Sequence, residues 1–126
     1  MGHAGPKAVL IADDDCSVRR VLAEFMASRG YSVVEAEDGV EAWEKLRDTH
    51  TDIVVSDLQM PQCDGRELCR RIRAEPTMRH VRVVIITGGE LPERRQLDCD
   101  AVLPKPIFVH ALLEELERVS SATVEA

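Results

Sequence analysis

The chain places acidic, hydroxyl and ammonium side chains just after apolar runs. Asp13, Asp14 and Asp15 follow AVLIA (8–12), Asp57 follows IVVS (53–56), Thr87 closes VRVVIIT (81–87), and Lys105 follows AVLP (101–104) and precedes Pro106. If the carboxylates of Asp13, Asp14 and Asp57 come within about 5 Å of one another, each pair costs about 3 kcal/mol at an effective dielectric of 20, so a cation must offset them. Hard oxygen donors without Cys or His select Mg2+ or Mn2+. Such a set suits phosphoryl chemistry, in which the protein positions groups and neutralises charge. An Asp carboxylate is a competent nucleophile that forms an aspartyl phosphate; Lys105 would hold developing negative charge and Thr87 would donate to a phosphoryl oxygen. A glycine-rich phosphate cradle is absent, since neither GxGxxG nor the P-loop pattern occurs. Taken singly, these residues have plainer readings: Asp15 as the cap of a helix starting near Ser17, Asp13 and Asp14 as a polar turn, Thr87 as a strand end. Their convergence at strand ends is what is specific.

The elements that position them alternate. Buried-strand runs are expected at 8–12, 31–36, 53–56, 81–87 and 101–103, and amphipathic helices at 17–29, from Val40, at 66–73 and at 108–120, with at most two helical turns at 91–97. Gly30 supplies a helix stop and Glu75-Pro76 another. Five β/α pairs with right-handed crossovers make an α/β, doubly wound, five-stranded parallel sheet, whose crevice lies off the carboxyl ends of the strands where strand order reverses.

With 126 residues and a formal charge of −7, the chain holds one domain, expected over 8–120 between a flexible N-terminal segment (1–7) and a tail or linker start (121–126). The acidic balance argues against direct nucleic-acid binding. No apolar run approaches the roughly 20 residues of a membrane span, and 1–7 lacks a signal-peptide core, so a cytoplasmic location is expected. The segment 66–95 carries eight Arg against four Glu, a solvated face or a surface for an acidic protein partner. Cys16, Cys63, Cys69 and Cys99 form no CxxC and no ligand pair with His, and are expected as separate thiols.

VLIADDD at 9–15, SDLQMPQCDG at 56–65, VVIITGG at 83–89 and LPKPI at 103–107 make the chain resemble the receiver domains of two-component response regulators, over about residues 7–120. The resemblance implies a flavodoxin-like sheet in the order 2-1-3-4-5. It implies Asp57 as phosphoacceptor, charged by a sensor histidine kinase, a histidine phosphotransfer protein or a small donor such as acetyl phosphate. Asp14 would bind Mg2+ directly, Asp13 through water, and Asp57 and the backbone carbonyl of Gln59 would complete the protein ligands. Lys105 would pair with phosphate, its bond to Pro106 being cis, and Thr87 would be the switch hydroxyl, with small Gly88 leaving room for the phosphoryl group. The output would pass to an unknown downstream protein, and the only reactions catalysed would be the domain's own phosphorylation and dephosphorylation.

Three positions depart from the family pattern. Val102 stands where Tyr or Phe is common, only 17 residues separate Thr87 from Lys105, and Asp98 stands where Gly is frequent. Two alternatives follow from the residues: a receiver-like binding module that works without phosphorylation, and a haloacid-dehalogenase-type phosphatase with Asp13 as nucleophile.

Overall fold

The computed structural model describes residues 7–121 except 90 and 93. The segments expected to flank the domain, 1–7 and 121–126, lie outside the described residues but for Lys7 and Ser121, as do Glu90 and Glu93 of the arginine-rich segment.

Five strands, β1 (Ala8–Ala12), β2 (Ser32–Ala36), β3 (Ile53–Asp57), β4 (Arg82–Thr87) and β5 (Ala101–Pro104), form one parallel sheet in the order β2-β1-β3-β4-β5. Between and after them run α1 (Cys16–Ser28), α2 (Gly39–Asp48), α3 (Gly65–Ala74), α4 (Arg94–Leu97) and α5 (Val109–Ser121). Strand residues alternate between two cores, because successive side chains leave opposite faces of the sheet. Leu10, Val54, Val83 and Ile85 join Leu46, Leu68 and Ile72 of α2 and α3, whereas Val9, Ile11, Val55, Val84 and Ile86 join Leu22, Met26, Leu112 and Leu116 of α1 and α5. Both faces are covered, and so the central strands read as unbroken apolar runs.

Local chemistry sets the helix ends. Asp15 caps α1, its carboxylate accepting from the Ser17 and Val18 amides, and Gly30 stands just beyond the helix at φ +93°, a conformation that L side chains rarely adopt. Asp38 caps α2 and Asp64 caps α3 in the same way. The chain after α3 makes a further 3₁₀ turn, Pro76–Met78, where the sequence signals only a stop. That turn buries Met78 under the sheet, so a Pro that ends one helix opens the next.

α4 is a single turn, which matches the short segment between Thr87 and Lys105, and Asp98 takes the left-handed conformation at φ +57°. With so little helix there, polar ties from α3 hold the corner. The Cys69 thiol donates to the Leu97 carbonyl (2.9 Å). Arg73 donates to the carbonyls of Asp98 (2.9 Å) and Val81 (2.8 Å) and to the Asp100 carboxylate (2.8 Å), which also accepts the Val83 amide (2.8 Å). Burial pushes the Cys69 thiol up to about 12, keeping it a protonated donor. Much of the basic segment is used internally, since Arg70 and Arg71 both grip Glu67 and Arg73 grips Asp100. All four cysteines are free thiols.

α2 leans directly on the loop that leaves β3. A Cβ at Gly39 would lie 1.9 Å from the Cys63 carbonyl oxygen and 2.7 Å from its carbon, atoms of a backbone that cannot swing aside. Overpacking of this kind costs about 1–3 kcal/mol. Gly39→Ala is therefore expected to lower the unfolding free energy by that amount, read as a lower urea midpoint at an unchanged denaturant slope, whereas an unchanged midpoint would show that the loop yields freely.

Candidate functional site

Parallel register brings the chemical residues together. Ala12 lies beside both Ala36 and Ser56, Asp57 beside Ile86, and Thr87 beside Pro104, so the residues that follow β1, β3 and β5 meet at one end of the sheet. Backbone hydrogen bonds carry this pairing past the strands: the amides of Asp13, Leu58 and Lys105 donate to the carbonyls of Ala36, Ile86 and Thr87. The first and third strands are neighbours, and the acidic turn therefore faces the end of β3.

Asp13, Asp14 and Asp57 each offer a carboxylate oxygen, and these oxygens lie within 4.8 Å of one another. Two unit charges at that separation repel by about 3.5 kcal/mol at an effective dielectric of 20. Lys105 answers part of this. Its ammonium stands 3.0 Å from Asp57 Oδ2 and 3.3 Å from Asp13 Oδ2. The remaining oxygens are held by backbone: Asp13 Oδ1 accepts the Asp15 amide (2.9 Å) and Asp57 Oδ1 the Gln59 amide (3.3 Å). The Asp14 carboxylate is exposed, and no described residue donates a hydrogen bond to it.

Burial has the largest effect on Asp13, which is 1% exposed. Loss of water raises its pKa, and the nearby Asp57 charge adds to that; the Asp15 amide and Lys105 oppose it but do not prevail. For Lys105, burial disfavours the ammonium, but its hydrogen bond to Asp57 and the charges of Asp13 and Asp57 outweigh that and raise its pKa. One cation is shared by more negative charge than it can neutralise. The donor set, three carboxylates with no Cys or His, fits a hard divalent cation such as Mg2+ or Mn2+.

Each residue singled out in the sequence has a definite place. Thr87 ends β4 and is buried, its hydroxyl accepting the Gly89 amide at 3.1 Å. Gln59 is exposed at the start of the loop after β3. A Cβ at Gly88 would meet Lys105 at 3.9 Å, an ordinary contact, so the space beside it would also accommodate Ala. The Lys105–Pro106 bond is cis. Gly65 has a stricter requirement: a Cβ there would lie 2.4 Å from the Asp57 carbonyl oxygen and 2.9 Å from Leu58 Cα, so only glycine lets α3 start this close beneath the acidic residue.

Two features were not read from the sequence. Gly65 had a signal, the Asp-Gly pair before a helical stripe. Arg19 had none: one turn into α1, it turns back and donates from Nη1 to the Asp13 carbonyl at 2.7 Å and from Nε to Glu35 at 3.1 Å.

Residues 9–117 match the response regulator receiver domain family, and the chain belongs to it. It is 34% identical over 122 residues to the response regulator MprA of Mycobacterium sp. (strain KMS), a match covering 94% of this chain and 52% of that protein, so the chain spans about half the length of that relative. Among solved structures it is similar to the chemotaxis protein CheY4 of Vibrio cholerae (TM-score 0.84, 29% identity, 91% of this chain and 99% of that one). It is also similar to the response regulator TrrA of Thermotoga maritima, solved in complex with Mg2+–BeF (TM-score 0.79, 26% identity, 90% and 98%). Family membership sets aside the haloacid-dehalogenase reading. No described helix is long and apolar enough to cross a membrane.

Two outcomes follow from the electrostatics. Asp13→Asn removes a buried charge from a repelling cluster, so without divalent metal the variant should melt higher, by about 4 °C for each kcal/mol relieved. An unchanged or lower melting temperature would show that the Asp13 charge is already balanced. A raised folded pKa also means that protons compete with metal at Asp13 from a higher pH than at an ordinary carboxyl; Mg2+ affinity, measured by calorimetry, should fall as pH is lowered through that raised value and be regained above it.

Proposed function

We propose that this domain is a phosphoacceptor of a two-component phosphorelay, with Asp57 receiving the phosphoryl group. The observation that carries the reading is the ammonium of Lys105 bridging Asp57 and Asp13 beside a third carboxylate. Such an arrangement has little use as a folding device, and it supplies both a nucleophile and the positive charge to receive a phosphoryl group.

In the proposed reaction an oxygen of Asp57 attacks the phosphorus of a phosphohistidine on a sensor histidine kinase or phosphotransfer protein, or of a small donor such as acetyl phosphate. The new P–O bond to Asp57 forms as the P–N or P–O bond to the donor breaks, and the donor leaves with the electron pair. Lys105 pairs with the charge arriving on the phosphoryl oxygens. Asp13, Asp14, Asp57 and the backbone carbonyl of Gln59 would hold Mg2+ or Mn2+, which supplies Lewis-acid neutralisation of phosphoryl charge. The similarity to TrrA, a protein solved with Mg2+–BeF, supports that donor set.

Phosphorylation adds about −1.5 to −2 charge. Thr87, at the end of β4, is the group proposed to give up its Gly89 partner and donate to a phosphoryl oxygen, drawing the β4–α4 connection with it. The readout then falls to the face near α4 and α5 and to a downstream protein that recognises it. Val102, packed at the edge of the α2–α3 core, cannot serve as an aromatic reporter of that change. The domain is proposed to act in the cytoplasm, catalysing only its own phosphorylation and dephosphorylation.

Intact mass after incubation with acetyl phosphate and Mg2+ tests the reading. Wild type should gain one phosphoryl group, Asp57→Asn none, and chelation of the metal should abolish the gain; Lys105→Met should slow it by about 100-fold, the usual loss on removing one preorganised charge-stabilising group. Uptake that survives in Asp57→Asn but is lost in Asp13→Asn would move the nucleophile to Asp13. A wild-type chain that stays unmodified at saturating donor and metal would favour a binding module that works without phosphorylation.

A further inference from the structure

We propose that Arg19 is a positioning residue for the metal site: its guanidinium fixes the peptide between Asp13 and Asp14, and thereby aims Asp14 at a divalent cation. The proposal rests on the phosphoacceptor reading only in taking Asp13, Asp14 and Asp57 as metal-binding groups.

The three carboxylates are not held equally. Asp57 is tied through Lys105 and the Gln59 amide, and Asp13 through Lys105 and the Asp15 amide. Asp14 is exposed and accepts no hydrogen bond from any described residue, so the hold that the fold has on it is through its backbone, which fixes where its Cα–Cβ bond starts. That backbone is the Asp13–Asp14 peptide. Its carbonyl, the Asp13 oxygen, accepts from Arg19 Nη1 at 2.7 Å, a short charge-assisted bond of the stronger kind.

The guanidinium is itself anchored. Nε donates to Glu35 Oε1 at 3.1 Å, and the Arg19 side chain is 17% exposed. Glu35 stands in β2, and its carbonyl accepts from Lys45 Nζ of α2 at 2.6 Å; Lys45 in turn pairs with Glu41 at 3.1 Å. Arg19 thus clamps the acidic turn to β2 from the side away from Lys105. The planar fork makes the two bonds from separate nitrogens, Nε and Nη1, held at a fixed angle to each other.

Partners that orient a ligand without touching the metal typically change affinity 10–100-fold when removed. Calorimetric titration of the full chain with Mg2+ alone tests the role. Arg19→Met should fold and bind Mg2+ about 10-fold more weakly than wild type, and Arg19→Lys should recover part of the loss by donating to the Asp13 carbonyl. A merely structural arginine would lower the metal-free melting temperature and leave the Mg2+ dissociation constant of the folded variant within twofold of wild type; that result overturns the proposal. Equal weakness of the Lys and Met variants overturns it too. Should Arg19→Met not fold, Arg19→Gln compared with Arg19→Lys reads the same difference, with Gln the weaker. A wild type that binds no Mg2+ overturns this proposal together with the metal-dependent reading, whereas tight wild-type binding matched by Arg19→Met removes the Arg19 role alone.

Discussion

Negative charge gathered at one end of a sheet, with one lysine between, is the constraint on which the rest of this domain is arranged. Three carboxylate oxygens within 4.8 Å of one another are a standing electrostatic cost, and every nearby feature either holds them in place or answers that cost. Lys105 reaches across from β5, backbone amides of Asp15 and Gln59 take the oxygens it leaves, and Gly65 lets α3 begin directly behind Asp57. The hydrophobic cores on either face fix the strands rigidly enough for these contacts to persist without relaxation into solvent.

Most of this architecture is legible in the residues. The strands are buried on both sides and so appear as continuous Val/Ile runs; helix stripes, the Asp15 cap and the Gly30 stop are local signals, and they hold to within a residue or two of the observed bounds. The strand order and the meeting of Asp13 with Asp57 come from the family resemblance, because pairing between distant segments leaves no periodic trace. Where local signals ran out, tertiary contacts had decided. The 3₁₀ turn at Pro76–Met78 is stabilised by burying Met78, and Pro at a first helical position reads equally as a stop or a start.

The site divides along the same line. Asp13, Asp14, Asp57, Thr87 and Lys105 are visible because they stand at or just after the ends of strands, Asp57 and Thr87 as the last residues of β3 and β4. Arg19 is not visible, since an arginine on an amphipathic helix reads as a solvated residue, and only the fold shows that it turns back onto the Asp13 carbonyl. The spacing limits the segment 91–97 to at most two helical turns, of which the fold forms one; that Asp98 adopts φ +57° rather than avoiding it is shown only by the fold. The ties that replace the missing helix, Cys69 to Leu97 and Arg73 to Asp100, were not legible, because a thiol and a guanidinium carry no sequence mark of their partners.

β5 has a consequence for assembly of the molecule. It is one of the two edge strands, paired with β4, and it delivers Lys105 to a carboxylate 48 residues earlier in the chain. Contacts of such sequence separation form late, because the entropy of closing the intervening chain is lost before the contact repays it. During synthesis the acidic residues of β1 and β3 therefore emerge well ahead of the ammonium that balances them. A chain arrested before residue 105 would carry the acids without the ammonium that stands between Asp57 and Asp13.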